Sequence, residues 1–289
     1  MSDSAAITAL VAAEELVELG EVSIEEADYI SDWQRPSFDL ASQTIGIWSD
    51  SGGEPVGFAM VDNDRGDAAV HPEHQRRGLG TALAAWMREC ARANGAPVIG
   101  APMPQGSAAD RLLEKLGYHV RWTSWVLQLP DGATVPQRDL PAGYHVREAH
   151  AEDYPAVWTV IEDAFLEWSV REREPYDDFL ARLSGRPGFE PWHVRVVTDP
   201  AGEVVAAAQL HLNEDGGPVC AYVDRLATAR EHRNRGLAQA LLVHTFAAGA
   251  ANGAVRFELS TDSRTGALGL YERVGMSVTS VWLNRAIEV

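Results

Sequence analysis

The chain contains little cysteine, little lysine and no long apolar segment. Cys90 and Cys220 are its only cysteines, which excludes a disulfide framework and a zinc site built on cysteines. Lys115 is its only lysine, so a phosphate-binding loop of the Gly-Lys-Ser/Thr type is excluded. No apolar run approaches ~20 residues, which argues against a membrane-spanning helix. The N-terminal segment lacks the basic start of a secretion signal, and we expect a cytoplasmic protein.

Basic residues are also few relative to acidic ones. The 289 residues include 24 Lys and Arg and 42 Asp and Glu, a formal net charge of −18 at pH 7. This charge argues against sequence-independent binding to nucleic acid or to an anionic membrane. It suits a cationic substrate such as an amine, and it equally suits a protein that is only well solvated. With 46% apolar residues, the chain is long enough for two ordinary domains, each with its own core.

The sequence repeats itself. Residues 72–83 read PEHQRRGLGTAL and residues 230–241 read REHRNRGLAQAL, with seven identities at twelve aligned positions. Residues 130–143 lie between the copies and contain three prolines and two glycines, which is typical of a linker. The repeat therefore predicts an N-terminal domain over residues 1–129, a linker over 130–143 and a C-terminal domain over 144–289.

Each copy predicts the same order of elements. A strand pair around a Gly-Glu turn is followed by a third strand, a glycine-containing loop and a helix that ends at Asn-Gly. A further strand, a helix and a last strand complete the copy. The pattern predicts an α/β (α+β) protein of two tandem domains, each with a mixed central sheet flanked by helices.

The loop before the first long helix of each copy has the composition of an anion-binding turn. Small residues there let backbone N–H groups approach a pyrophosphate, and the helix dipole adds positive potential. The same turn could instead serve only to start a helix. The residues predicted to bind the anion are Gln75, Arg76, Arg77, Gly78, Leu79 and Gly80 in the first copy and Arg233, Asn234, Arg235, Gly236, Leu237, Ala238 and Gln239 in the second.

Together with this loop, the later element Ala267-x-x-Leu270-Tyr271-x-x-x-Gly275-Met276 makes the second copy similar to the GNAT superfamily of acetyl-CoA-dependent N-acyltransferases. The resemblance covers most of residues 144–289 and, more weakly, 40–129, as in tandem-domain members of the superfamily. It implies acetyl-CoA as cosubstrate, no metal, a small-molecule amine as acceptor, and a monomer or homodimer. His71 and His74 have no further ligands nearby in the sequence, so no metal site is predicted.

The resemblance also implies roles for residues of the strand before the loop and of the later helix. Tyr271 occupies the position of the family's acid, which protonates the departing sulfur, whereas the first copy has Leu113 there. Catalysis is therefore expected in the C-terminal domain, although Tyr271 could be a packed helix aromatic. The Leu226 N–H is the candidate oxyanion donor. Asp224 is the candidate base, with a salt bridge to an arginine as the alternative.

The remaining candidates contact the two substrates. Further cofactor contacts are expected at Leu226, Ala227, Thr228 and Arg264, and at Val70 in the first copy. Phe165, Glu167 and Trp168 are candidates for the acceptor site, because an aromatic ring beside a carboxylate can hold an ammonium group. Each could instead belong to a core or a solvated helix face.

The sequence thus predicts an acetyl-CoA-dependent N-acetyltransferase that transfers directly to a primary amine in a ternary complex. One alternative is a transferase acting on the amine of a thiol-bearing pseudodisaccharide. The other alternative is a non-catalytic acyl-CoA-binding or sensing protein, in which both copies are ligand modules.

Overall fold

The computed structural model describes residues 3–50, 52–214 and 217–289. The chain forms two compact units, one of Met1–Ser124 with Ser280–Val289 and one of Trp125–Thr279. The limits of these units differ from the predicted domains 1–129 and 144–289, because the end of the chain folds with the first copy. In the described ranges, the helices are too short or too polar to span a bilayer.

The N-terminal unit begins with helices and continues as an alternation of strands and helices. Its elements are α1 (Ser4–Glu18), α2 (Glu26–Trp33), α3 (Leu40–Gln43), β1 (Thr44–Trp48), β2 (Pro55–Asp62), β3 (Arg65–Val70), a 3-10 turn (Pro72–His74), α4 (Leu79–Ala93), β4 (Val98–Pro104), α5 (Ala108–Lys115) and the first part of β5 (His119–Gln128).

The C-terminal unit repeats this order after the end of β5. Its elements are β6 (His145–Glu148), a 3-10 turn (Ala151–Asp153), α6 (Tyr154–Leu166), α7 (Tyr176–Arg182), a 3-10 turn (Pro191–His193), β7 (Val194–Thr198), β8 (Val204–Asn213), β9 (Cys220–Thr228), a 3-10 turn (Arg230–His232), α8 (Leu237–Ala251), β10 (Arg256–Asp262), α9 (Leu268–Arg273) and the start of β11 (Ser277–Glu288).

The sheet of the N-terminal unit has the order β1-β2-β3-β4-β11. The first three strands are antiparallel neighbours, and β3 pairs with β4 in parallel only at Arg65 and Gly100. β11 then pairs antiparallel with β4, from Trp282 opposite Pro104 to Glu288 opposite Val98. The last strand of the chain is therefore a strand of the first copy's sheet, which is why residues 280–289 belong to that unit.

The sheet of the C-terminal unit has the corresponding order β10-β9-β8-β7-β6. β6 to β9 are antiparallel neighbours, and β9 pairs in parallel with β10. Two copies with mixed sheets and flanking helices confirm the predicted fold class.

Successive residues of the central strands face opposite sides of the sheet, and small or apolar side chains pack against helices on both sides. In β8, Ala207 packs with Val157 and Ile161 of α6, whereas its neighbours Ala206 and Ala208 pack with α8. In β2, Phe58 and Met60 face the cluster that includes α1 and α2, and Ala59 and Val61 face the cluster that includes α4. Each sheet therefore buries both faces, and its functional groups lie where strands end.

Candidate functional site

The two glycine loops have the same backbone conformation. Arg76 and Asn234 both have φ of 61°, and Gly78 and Gly236 have φ of 87° and 81°. The left-handed region favours glycine, which explains why both copies keep it at the residue before the helix. Neither α4 nor α8 has a side-chain cap in the described parts of the chain, so their first N–H groups are available to an anion.

The loop arginines brace this conformation. Arg77 Nη2 donates to Glu73 O at 3.2 Å, and Arg235 Nη2 donates to Glu231 O at 3.1 Å. Arg235 also donates to the Tyr144 hydroxyl at 2.6 Å. These guanidinium groups therefore stabilise the loop from within, besides supplying positive charge beside it.

A second pair of side chains ties each loop to the strand before it. Gln75 Nε2 donates to Val70 O at 3.5 Å, and Arg233 Nε donates to Thr228 O at 3.0 Å. The Arg233 guanidinium also forms two hydrogen bonds of 2.8 Å with Glu167. These bonds hold the pKa of the Glu167 carboxyl below its usual value. A predicted cofactor residue and a predicted acceptor residue are thus partners of each other.

The strands next to the loop separate from each other. Pairing between β9 and β10 ends at Val223 and Leu259, although both strands continue. Ala229 donates its N–H to Val205 O of β8 at 2.8 Å. Because alternate N–H groups of a strand point to opposite edges, those of Leu226 and Thr228 point away from β8, toward the gap.

A buried polar atom marks the same gap. The Thr228 hydroxyl oxygen is buried and has no hydrogen-bond partner among the described residues. An orphaned group of this kind costs free energy unless a ligand or water satisfies it. Together with the uncapped helix and the turned N–H groups, it fits the amide-rich arm and diphosphate of coenzyme A.

The later helices of the two copies end with corresponding backbone hydrogen bonds. Met276 N donates to Tyr271 O at 3.1 Å in α9, and Tyr118 N donates to Leu113 O at 3.0 Å after α5. Tyr271 and Leu113 therefore occupy equivalent positions. The Tyr271 side chain is 7% exposed, and burial raises its pKa to about 12. The group remains a neutral phenol throughout the physiological range.

Asp224 lies at an irregularity in β9. The register between β8 and β9 shifts at Gln209 and Leu210, so Asp224 has no opposite residue in the ladder. Its side chain is 42% exposed, and one carboxylate oxygen lies 3.5 Å from Arg225 Nε. The salt bridge considered as an alternative is present, and the carboxylate is also accessible from solvent.

The predicted acceptor residues at the end of α6 lie beside a predicted cofactor residue. The rings of Phe165 and Trp168 are 5.1 Å apart, and the Arg264 guanidinium lies over the Trp168 ring at 4.7 Å. Arg264 is also paired with Asp262, with a shortest contact of 2.5 Å. The structure therefore brings these residues together, and Arg264, a predicted cofactor contact, is paired with the carboxylate of Asp262.

Sequence reasoning missed Arg138, which lies in the linker. A β-carbon at Gly236 would be 2.5 Å from Arg138 Nε, so the arginine side chain lies directly against the loop glycine. The linker is held there by Gln239, whose Nε2 donates to Pro136 O at 2.8 Å. Arg138 is exposed and belongs to the same compact unit as the loop. In the sequence, Arg138 is an arginine in a proline-containing linker, and a linker has no periodic pattern from which a contact can be predicted.

Sequence reasoning also missed a chain of buried ion pairs beneath β9. Glu174 accepts hydrogen bonds from Arg182 at 2.7 Å and from Arg225 at 3.1 Å. Glu162, whose side chain is 1% exposed, forms two bonds of 2.7 Å with Arg171. Burial opposes ionisation of Glu162, but its hydrogen bonds outweigh burial and lower its pKa. These pairs connect α6, α7 and β9.

A tandem acetyltransferase fold with these sites agrees with the comparisons to known proteins. The chain belongs to the acetyltransferase (GNAT) family, whose model matches residues 10–118 and 145–276. The chain is therefore an acetyltransferase, and members of this family use acetyl-CoA as cosubstrate, as the sequence resemblance implied.

Relatives and solved structures extend over most of the chain. A mycothiol acetyltransferase from Salinispora arenicola is 31% identical over 243 residues, 79% of this chain and 76% of the relative. A GCN5-related N-acetyltransferase from Sphaerobacter thermophilus has a TM-score of 0.74 at 25% identity, covering 99% of this chain and 93% of the other. A tandem GNAT protein of the clavulanic acid biosynthesis pathway shares the fold, with a TM-score of 0.72 at 19% identity, covering 99% and 95%.

Proposed function

We propose that the protein is an N-acetyltransferase that transfers the acetyl group of acetyl-CoA directly to a primary amine, with catalysis in the C-terminal unit. The single observation that carries this assignment is the pair of equivalent positions occupied by Tyr271 and Leu113. Both copies have a glycine loop with the same backbone, but only the second has a proton-bearing side chain at this position of the later helix.

In this proposal the C-terminal unit supplies the groups that bind and align acetyl-CoA. The N–H groups at the start of α8 bind the diphosphate, with Arg138 as an added cation. The N–H of Thr228 and its unpartnered hydroxyl bind the amide-containing arm. The Leu226 N–H then polarises the acetyl carbonyl, whose oxygen gains negative charge when the amine attacks.

Tyr271 assists the departure of the sulfur. The pKa of the Tyr271 phenol, about 12, lies above the ~8.5 of a thiol. The phenol is therefore the weaker acid, and it acts first by donating a hydrogen bond to the departing sulfur. We expect Tyr271→Phe to lower kcat by about 10- to 100-fold, because an acid of this kind contributes at most ~10²–10⁴. The affinity for acetyl-CoA, measured by calorimetry, should change less than about twofold.

Tyr118→Phe is the matched control, because Tyr118 is a buried tyrosine in the corresponding turn of the first copy, and its hydroxyl has no partner within residues 3–50, 52–214 and 217–289. It should leave kcat unchanged. Since burial keeps Tyr271 protonated to a pKa of about 12, wild-type kcat should show no decline attributable to this group below about pH 11. An unchanged rate in Tyr271→Phe would exclude its role as acid.

Asp224 is the proposed acceptor of the amine proton, directly or through water. Its carboxylate is 42% exposed and lies on the strand that carries Leu226. We expect Asp224→Asn to lower kcat/KM and to change its pH profile. A profile that superimposes on that of the wild type would leave only the ion pair with Arg225.

The acceptor is proposed from the relatives. Several of them are named mycothiol acetyltransferase, which supports the amine of des-acetyl mycothiol, a thiol-bearing pseudodisaccharide, as the first compound to test. Product formation would be followed by the mass of one added acetyl group. Acetylation of other primary amines in place of this one would favour a different acceptor. A thioester that stays intact with every amine, despite tight binding, would favour a sensing protein.

A further inference from the structure

The end of the linker is joined to the C-terminal glycine loop by one hydroxyl group. Tyr144 comes directly before β6, and its hydroxyl lies between two residues of the loop segment. Arg235 Nη1 donates to this hydroxyl at 2.6 Å, and His232 Nδ1 lies 3.0 Å from it. Because the oxygen accepts from the guanidinium, its own proton can be donated to the nitrogen of a neutral imidazole. The hydroxyl therefore connects the 3-10 turn before the loop with the loop itself.

The ring of Tyr144 is fixed by the core. The residue is 8% exposed and packs in the cluster that contains Leu237 and Leu241 of α8. Its N–H donates to Pro141 O at 3.1 Å, which fixes the backbone as well. The hydroxyl of Tyr144 is thus held at a defined place beside the loop, and it does not move freely on the surface.

The first copy has no counterpart of Tyr144. Its sheet ends at β1, so the strand that corresponds to β6 is missing from it. Arg77 and His74 correspond to Arg235 and His232 in the repeat. Arg77 donates to Glu73 O at 3.2 Å and has no side-chain partner among the described residues, and the His74 ring faces a second imidazole at 5.8 Å.

The glycine turn nevertheless has the same backbone in both copies. Gly78 and Gly236 have φ of 87° and 81°, and Arg76 and Asn234 both have φ of 61°. The turn therefore forms without a tyrosine hydroxyl. What the hydroxyl adds in the second copy must lie in the side chains that it bonds.

Arg235 is the side chain that Tyr144 holds most closely. Its Nη1 bonds to the hydroxyl and its Nη2 donates to Glu231 O at 3.1 Å, whereas Nε has no partner in the described parts of the chain. A guanidinium fixed at two corners before a ligand arrives loses less side-chain entropy when it attracts an anion. The second copy therefore has a pre-organised cation in its loop, and the first copy has a less constrained one.

We infer that Tyr144 is a positioning residue for acetyl-CoA: its hydroxyl holds Arg235 and the preceding turn in the arrangement that binds the diphosphate. The inference rests on the proposed binding of acetyl-CoA at the C-terminal loop. Tyr144 acts through Arg235 and has no role at the acetyl group or at the amine. It determines how tightly the cofactor binds, without altering the chemical step.

Tyr144→Phe tests this role, because it keeps the ring in the core and removes only the hydroxyl. Calorimetry should show acetyl-CoA bound about 3- to 10-fold more weakly, as expected for the loss of one hydrogen bond to a charged group. The value of kcat at saturating acetyl-CoA should change less than about twofold. Tyr154→Phe is the matched control, because Tyr154 is a tyrosine of the same unit that is also 8% exposed. It should bind acetyl-CoA as the wild type does.

A truncated thioester separates positioning from a general structural effect. S-acetylpantetheine carries the acetyl group and the amide-containing arm but lacks the diphosphate and the nucleotide. With the same amine in both assays, Tyr144→Phe should lower kcat/KM for acetyl-CoA about 3- to 10-fold and leave kcat/KM for S-acetylpantetheine unchanged. A damaged fold would lower both values by the same factor.

A double-mutant cycle tests whether Arg235 carries the effect. We expect Arg235→Gln to weaken acetyl-CoA binding, and adding Tyr144→Phe to that variant should weaken it by less than about twofold further. The two substitutions are then not additive, because the hydroxyl has lost the group that it positions. Fully additive effects would show that Tyr144 acts by another route and would overturn the inference.

Two further results would overturn it. One is equal affinity for acetyl-CoA in the wild type and in Tyr144→Phe, and the other is an equal loss of kcat/KM with S-acetylpantetheine. Both leave the proposed function intact, because the C-terminal loop still binds the cofactor. Undiminished acetyl-CoA binding to Gly236→Val would instead overturn the proposed site and this inference with it.

Discussion

Single residues distinguish the two copies more than their backbones do. Gly78 and Gly236 adopt the same left-handed conformation, and Arg77 and Arg235 brace the same turn. The copies then differ in what surrounds the loop. The second has Arg138 against it and an unpartnered Thr228 hydroxyl beyond it. The copies therefore share the groups that shape the loop and differ in the groups beside it.

Arg138 gives a test at this scale. Because its guanidinium lies against Gly236 and is exposed, we expect Arg138→Ala to weaken acetyl-CoA binding about 3- to 10-fold, as the loss of one solvent-exposed charge-assisted contact should. The affinity of the wild type should also fall more steeply with salt than that of the variant. Both are measured by calorimetry.

Arg92→Ala is the control for this comparison, because Arg92 is an exposed arginine on α4, paired with Glu89. It should leave the affinity unchanged. Equal affinities in the wild type and Arg138→Ala would mean that the linker arginine only covers the loop.

A functional position could be predicted from the sequence where the backbone conformation or the chemistry allows only a few amino acids. Glycine at a positive φ and a tyrosine four residues before Gly275 could both be recognised. Arg138 and Glu162 could not, because a linker arginine and a helix glutamate are common. Their importance depends on burial and on neighbours distant in the chain.

At the scale of elements, the ion pairs beneath β9 lie beside the apolar core that α6 and α7 share. Breaking such a pair leaves the partner charge uncompensated. We expect Glu162→Gln to lower the free energy of unfolding by about 2 kcal/mol, toward the low end for buried pairs because Arg171 is 35% exposed. The midpoint of urea unfolding measures this change.

The neighbouring Asp163→Asn provides the matched comparison. Asp163 also lies on α6 and is also paired with an arginine, Arg173, but its side chain is 59% exposed. It should change the free energy of unfolding by less than about 0.5 kcal/mol. Equal effects of the two substitutions would show that burial does not decide the strength of these pairs.

Most elements could be predicted from periodicity and helix-ending signals. The roles assigned to the end of β9 followed from the family resemblance, and the pairing of β9 with β10 ends before those residues, at Val223. The pairing of β11 with β4 could not be predicted, because the sequence of a strand does not determine which other strand it pairs with. The predicted C-terminal domain therefore included residues 280–289, which fold with the other unit.

At the scale of the whole molecule, one fold occurs twice with different chemistry. The C-terminal unit has Tyr271 where the N-terminal unit has Leu113, and an unpartnered Thr228 hydroxyl at the end of β9 among the described residues, which support the proposed acetyl transfer. The N-terminal unit has Leu113 at the position of Tyr271 and a cavity whose charged lining residues are mostly carboxylates. Duplication lets one copy change without loss of the other.

The central claim is that acetyl-CoA binds at the C-terminal loop, and calorimetric titration of Gly236→Val and Gly78→Val tests it most directly. Both substitutions place a branched side chain at a φ near +80° to +90° before a helix, so both carry a similar backbone cost. Gly236→Val also displaces the Arg138 side chain, whose own contribution Arg138→Ala measures. The account predicts that acetyl-CoA binds Gly78→Val as it binds the wild type, and binds Gly236→Val at least tenfold more weakly. Undiminished binding to Gly236→Val, with binding lost in Gly78→Val, would contradict it.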